Sequence, residues 1–339
     1  MAATPGKRRS RWLAGTVAVL VVAACTTATA AKTAVRASGA EAPTGTATGP
    51  FPATFIAIST GYTGYRLAVY SAVTGRLLRY LTAAEPGGGP GGPSLSADGI
   101  IIFGRATGNN CAGSIDEVPA GGGPKRVLIG VAGRGSQAFW PGLVAGSADG
   151  RYLLYTTFHC AAPLDETVHL QNLRTGRELT RRVSSPQGVV PGLEGAGVFI
   201  DNDQEVVSAS GSEVGVLSVP SLTGRTYATA PRGCRYGSLA GTSTELLATL
   251  ECGARDALSL VAISPRTFAV TRTLIRLGTC LGGRISVAVH DPSALLVETE
   301  GACLPPTAVP MERILKIRGA KASVVLSGSA SFMPMSAIW

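Results

Sequence analysis

Short apolar runs, each introduced by a turn-forming cluster, recur along most of the chain. Ser96-Ala97-Asp98-Gly99 leads into Ile100-Ile101-Ile102-Phe103, and the same tetrapeptide, Ser147-Ala148-Asp149-Gly150, leads into Tyr152-Leu153-Leu154-Tyr155-Thr156-Thr157-Phe158. The runs are β-branched or aromatic and too short for a buried helix, so they predict strands. The Asp-Gly pair is a turn signal, because Asp bonds its own backbone and Gly tolerates positive φ. Looser copies are Asp201-Asn202-Asp203 before Val206-Val207, Thr242-Ser243-Thr244 before Leu246-Leu247-Ala248, and Asp291-Pro292-Ser293 before Leu295-Leu296-Val297.

A second turn alternates with the first. Thr74-Gly75-Arg76, Thr175-Gly176-Arg177 and Thr223-Gly224-Arg225 each follow an apolar run such as Leu67-Ala68-Val69-Tyr70. Gly121-Gly122-Gly123, Pro265-Arg266-Thr267 and Gly319-Ala320-Lys321 stand where the other copies belong. The second turn therefore has six copies and the first five, with Pro334-Met335-Ser336 as a sixth candidate. Residues 51–339, shared among six units, give about 48 residues each, the length of a four-stranded propeller blade.

This alternation resembles the TolB-like and WD40-like propeller repeats of bacteria, with Ala97 and Ala148 where that family prefers Pro. The resemblance implies an all-β fold, a six-bladed β-propeller, with seven blades as the alternative. The first unit offers only three strands, at Thr54–Ile58, Tyr65–Tyr70 and Leu77–Leu81, and lacks an innermost one. The tail from Ala330 is left over, and its Phe332, Ile338 and Trp339 would be wet at a free end. A closed ring removes exposed sheet edges, so the tail is expected to supply the missing strand.

The first fifty residues have a different texture. Lys7, Arg8, Arg9 and Arg11 precede an uncharged stretch from Trp12 to Ala31, the layout of a secretory signal. Val22-Ala23-Ala24-Cys25 matches the lipobox of bacterial lipoproteins, which makes Cys25 a candidate lipidation site. Two alternatives stay open: cleavage after Ala28-Thr29-Ala30, or retention of residues 12–31 as a membrane anchor helix. All three place the rest of the chain outside the cytoplasm, tethered at the outer face of the cytoplasmic membrane or secreted. The expected organisation is a signal or anchor over 1–31, a linker over 32–50 and a propeller over 51–339.

The formal charge of +9 invites a nucleic-acid reading, but residues 1–42 carry more than half of it. The remaining basic residues are scattered and form no run interleaved with aromatics, so nucleic-acid binding is excluded as an expectation.

Seven cysteines are an odd number for an exported chain. With Cys25 set aside, Cys111, Cys160, Cys252 and Cys303 follow the second strand of a unit, while Cys234 and Cys280 precede the first strand of the next. In an antiparallel blade these two loop classes open on one face of the disc. The expected pairs are Cys111–Cys160, Cys234–Cys252 and Cys280–Cys303. A metal reading is poorer: there is no CxxC, and His159, His169 and His290 lack ligand spacing.

No nucleophile elbow, zinc-helix or phosphate-loop motif occurs. Asp201-Asn202-Asp203-Gln204-Glu205 has the oxygen donors of a Ca²⁺ site but falls on a repeat turn, the preferred reading. Asp116-Glu117 and Asp165-Glu166 are no acid/base dyads, since strand neighbours point to opposite faces. No catalytic residue, metal or cofactor is assigned. Two functions follow: a monomeric, non-catalytic scaffold binding a protein or cell-envelope ligand, or a propeller hydrolase or lactonase with a metal at the channel floor. For the first, Arg134, Trp140, Arg235 and Tyr236 are candidate anchors, with Phe139 beside them and interblade packing as the alternative role for Phe139 and Trp140. Carboxylates converging on the channel would favour the enzyme; an apolar or basic channel would favour the scaffold.

Overall fold

The computed structural model describes residues 52–338 except 62–63, 85–93, 96–98, 108–111, 132–138, 148, 160–161, 185–196, 201–202, 220, 242–244, 254–256, 280, 289–290, 301–310 and 330–333. The signal or anchor over 1–31, the linker over 32–50 and the anchor candidate Arg134 lie outside the described residues, as do Cys25, Cys111, Cys160, Cys280 and Cys303.

The apolar runs form strands in the expected order. The first blade holds β1 (Thr54–Gly61), β2 (Gly64–Ser71) and β3 (Leu77–Tyr80). The second holds β4 (Ser94–Leu95), β5 (Ile100–Thr107), β6 (Ala112–Pro119) and β7 (Arg126–Val131), and the third β8 (Phe139–Gly146), β9 (Tyr152–His159), β10 (Ala162–Asn172) and β11 (Glu178–Ser184). The fourth holds β12 (Val198–Ile200), β13 (Glu205–Ser210), β14 (Glu213–Ser218) and β15 (Gly224–Ala228), and the fifth β16 (Cys234–Gly241), β17 (Leu246–Cys252), β18 (Ala257–Ile263) and β19 (Val270–Thr279). The sixth holds β20 (Leu281–Ala288), β21 (Asp291–Glu300), β22 (Met311–Arg318) and β23 (Lys321–Ser329), and the chain ends with β24 (Pro334–Ile338). Each blade is a four-stranded sheet, and β24 completes the first in the order β24-β1-β2-β3.

The tail thus closes the ring, with Ile338 opposite Ile56 and Ala337 opposite Ala57. Pro334-Met335-Ser336 is therefore not a sixth copy of the first turn but the start of this strand. The physical reason is topological. The chain termini meet inside the first blade, so no turn is needed between its inner two strands.

The core is divided among the interblade seams. Middle strands read as continuous apolar runs because both faces are covered, as in other doubly buried strands. On β9, Leu153 and Tyr155 pack with Ile102 and Ile115 of the second blade. Leu154, between them, packs with Val206 and Leu217 of the fourth. Like layers fill the other seams, for example Phe55 and Tyr70 against Leu296 and Ile314 between the first blade and the sixth. Each fully buried Leu or Ile is worth roughly 1.5–3 kcal/mol, so one such layer outweighs any single polar contact in the molecule.

The turns show how the repeat works. Ser147 Oγ donates to Asp149 Oδ1 at 2.7 Å and accepts from the Tyr152 N–H at 2.8 Å, while the Arg151 N–H donates to Asp149 Oδ1 at 2.8 Å. Ser and Asp thereby satisfy the backbone where the chain reverses. In the second turn, Gly75 has φ 68° and its N–H donates to Ser71 O at 2.9 Å. A Cβ there would sit 2.0 Å from the Val325 carbonyl oxygen of the sixth blade, so only glycine fits. The fourth and fifth blades differ from expectation. Leu222 (φ 53°) and Phe268 (φ 56°) take the left-handed position, and Gly224 already belongs to β15. That conformation costs a side-chain-bearing residue about 1–2 kcal/mol. Burial offsets it, since Leu222 and Phe268 are 2% and 4% exposed.

Candidate functional site

The inner strands of the six blades are β24, β4, β8, β12, β16 and β20. Round the ring, β8 lies against β4 and β12, β16 against β12 and β20, and β20 against β24. These strands contain no Asp, Glu, Asn, Gln, His or Lys. Their charged residues are Arg235 on β16 and Arg284 on β20, and each stands opposite a glutamate of the next strand out, Glu251 and Glu298. The Arg235 Nε–H donates to Glu251 Oε2 at 2.6 Å, with the arginine side chain 58% exposed and the glutamate 4%. A carboxylate buried to that degree needs such a partner. The inner strands therefore contribute no acidic residue, and each of their two arginines stands opposite a glutamate.

Beside this pair, Cys234 and Cys252 form a disulfide across the β16–β17 register. This is the pair expected within the fifth blade. Arg235 remains at the surface next to it. Tyr236 does not: it is 3% exposed, its N–H donates to Gly211 O at 2.6 Å, and it packs with Val214 and Val216 of the fourth blade. Its assignment as a surface anchor is thus corrected. The aromatic ring is large and apolar, and the seam between blades is the nearest place to bury it. Phe139 and Trp140 lie on β8, where they stand opposite His159 and Phe158 of β9.

Three polar groupings lie on other strands and turns. Asp116, fully buried on β6, sits 3.2 Å from Arg105 Nε and 2.9 Å from Lys125 Nζ. Glu117, its neighbour, points the other way and pairs with Arg126. The alternation of strand side chains thus separates these two carboxylates, as expected.

The second grouping links β9, β10 and β11. His169 stacks on Tyr155, with ring centroids 4.4 Å apart. Its Nδ1 lies 3.0 Å from Glu178 Oε1 and its Nε2 lies 2.9 Å from Thr157 Oγ1. Burial lowers the His169 pKa, against the pull of Glu178, so the neutral ring is favoured. It then donates from Nδ1 to Glu178 and accepts at Nε2 from the Thr157 hydroxyl. The order acid–imidazole–hydroxyl is that of a nucleophile triad. Thr157, however, is 4% exposed, which leaves its hydroxyl no room for a substrate. The grouping ties three strands together.

The third grouping joins successive repeat turns. Asp149 and Asp203 share a hydrogen bond between their carboxyl groups. Burial, followed by the charge of Asp149 and that hydrogen bond, raises the Asp203 pKa to about 6, with Arg151 opposing. Burial also acts to raise Asp149, but bonds from Ser147, Arg151 and Asp203, with Arg174 nearby, outweigh it and leave that group below its ordinary value. Folded Asp203 is thus protonated up to about pH 6, and the unfolded residue only to about pH 4. Within that window the native state binds more protons, so this residue's contribution to stability falls as pH rises. Asp203→Asn suits the left-handed backbone at φ 64° and should remove this slope. Melting curves of variant and wild type at pH 4, 5, 6 and 7 should converge or cross as pH rises, and parallel curves would refute the shared proton. Wild type is the reference at each pH because His169 and Asp149 act in the opposite sense.

Among the described residues no group of three or more His, Cys, Asp or Glu side chains could hold a metal ion. The five-residue acidic stretch at 201–205 lies partly outside them.

No family model matches the chain, and no curated protein matches it in sequence. Solved structures do match. TolB from Acinetobacter baumannii superposes with a TM-score of 0.60 at 11% identity, over 86% of this chain and 67% of its own. The fold is TolB-like. A chain of the nidogen/laminin complex superposes with a TM-score of 0.53 at 10% identity, over 84% of this chain and 97% of its own. At such identities the likeness is one of architecture, and function has to be argued from the site.

Proposed function

We propose that this chain is a non-catalytic β-propeller scaffold, held at the outer face of the cytoplasmic membrane by its N-terminal segment, that binds a protein or cell-envelope ligand. The observation that carries this reading is the composition of the inner strands. A hydrolase or lactonase with a metal at the channel floor needs converging oxygen or nitrogen ligands. The six inner strands offer no carboxylate, carboxamide or imidazole. The basic n-region, the uncharged stretch from Trp12 and the Cys25 lipobox support the address, and the Cys234–Cys252 disulfide suits an oxidising compartment. Arg235, exposed beside that disulfide, is the retained candidate contact.

The test has two arms on the full-length chain. Protease added to intact spheroplasts should digest the propeller, and calorimetric titration with Ca²⁺, Mn²⁺ and Zn²⁺ should find no stoichiometric site. A propeller protected until the cells are lysed would overturn the address. A one-to-one metal site accompanied by lactone hydrolysis would replace the scaffold by the enzyme.

A further inference from the structure

The outer strands of a propeller face solvent, and proteins guard such edges with charge. On one side exposed apolar side chains interrupt that guard. The described large hydrophobic side chains that stand exposed are Val73, Leu77, Leu78 and Tyr80 in the first blade, Val127 in the second and Val324 in the sixth. These are three consecutive blades. Two contacts make them one surface. The turn at Gly75 is seated on the Val325 carbonyl of β23. Arg79 donates to the Gly121 and Ala120 carbonyls at 2.8 and 3.0 Å, tying β3 to the turn before β7.

This rim is cationic as well as apolar. β3, β7, β23 and the turns that lead into them contain Arg76, Arg79, Lys125, Arg126 and Lys321 and no Asp or Glu. Lys125 and Arg126 pair with Asp116 and Glu117 of β6. Arg66 lies over the Tyr80 ring, 4.6 Å from its centroid. Apolar side chains set among cations are the composition that suits an anionic lipid surface.

The point where the chain joins the propeller selects that occupant over a soluble partner. Thr54 opens β1 opposite Ser71, and the Ala72 N–H donates to Ala53 O at 2.9 Å. The incoming chain therefore arrives directly beside Val73, the most exposed of these side chains at 76%. Twenty-two residues separate Ala31 from Thr54, and a coil of that length spans about 25 Å, comparable with the radius of a domain this size. The exposed apolar residues thus stand on the blade into which the N-terminal chain enters.

We propose that the rim formed by the sixth, first and second blades rests on the anionic lipid surface to which the N-terminal segment attaches. The proposal builds on the membrane address given above. It assigns Val73, Leu77, Leu78 and Tyr80 to the lipid headgroup boundary, leaving the disulfide-bearing fifth blade clear of the membrane.

Hydrogen exchange on the full-length chain tests it, comparing equimolar phosphatidylglycerol–phosphatidylcholine vesicles with detergent micelles. Amides in 72–81 and 321–327 should exchange about threefold or more slowly on the vesicles, while those in 270–277 of the fifth blade stay unchanged. Val73→Asp with Leu78→Asp should abolish the slowing without lowering the melting temperature, since both side chains are exposed. A chain that sediments with vesicles but shows equal exchange in both media overturns the rim and leaves the tether standing. A chain that does not sediment with vesicles overturns both. Slowing that appears in micelles and grows with protein concentration would assign the rim to a second copy of the chain and overturn the lipid assignment.

Discussion

Removing residues 334–339 should lower the melting temperature by about 7 °C or more, or leave the protein insoluble. β24 is the inner strand of the first blade and pairs with β1, Ile338 opposite Ile56 and Ala337 opposite Ala57. Without it, the inner edge of β1 loses its ladder partners. At a net value near 1 kcal/mol per hydrogen bond, the ladder alone accounts for about 4 kcal/mol. In a chain of this size that corresponds to about 7 °C. Contacts of β24 with β20 and β21 of the sixth blade go as well, so the figure is a floor. The freed edge is also a template for pairing between molecules, and light scattering on heating should rise earlier than in the intact chain. Circular dichroism melts of the truncated and full-length proteins decide it. Coincident curves would mean that the ring is held by its seams and that the tail is ornamental.

The closing strand is legible in the sequence alone, because it follows from counting turns. Ser147-Ala148-Asp149-Gly150 and Thr74-Gly75-Arg76 mark chain reversals by local chemistry, and local chemistry survives in a linear string. Six second turns against five first ones imply an inner strand without a preceding turn, and β24 is that strand. The turn at Leu222 departs from the Thr223-Gly224-Arg225 pattern for the complementary reason. Thr223-Gly224-Arg225 has the right letters, but the left-handed position two residues earlier is held by burial against the third-blade residues Leu154 and Val168. Tertiary packing overrode the motif. The polar groupings were less legible still. Thr157, His169 and Glu178 stand on three strands, and their convergence depends on a register that no one segment encodes. Asp149 and Asp203 meet only because the ring sets successive turns side by side. The inner wall is an intermediate case. The missing carboxylates are plain in the letters of β8, β16 and β20, but only once the strands are known to line the ring.

Cys234→Ser with Cys252→Ser should lower the melting temperature by about 5–10 °C and leave the fold intact. The bond closes a segment of 18 residues. For a loop of that length the chain-entropy account gives about 3 kcal/mol, taken from the unfolded ensemble rather than from native contacts. The native state should barely change, because the same residues are already opposite one another in the β16–β17 ladder, next to the Arg235–Glu251 pair and the buried Tyr236. The two contributions can be separated. Arg235→Ala strips Glu251 of its cation in the folded state, so its effect should weaken as added salt screens the pair. The serine pair should be insensitive to salt and should slow refolding more than it speeds unfolding. Calorimetry of the two variants beside wild type distinguishes them. A double serine variant that melts with wild type would show that the unfolded chain is already compact over residues 234–252, and the bond would then have to be explained by local rigidity of the Arg235 corner. A loss far beyond 10 °C would mean that the fifth blade does not assemble without it, which the apolar seams on both its sides argue against.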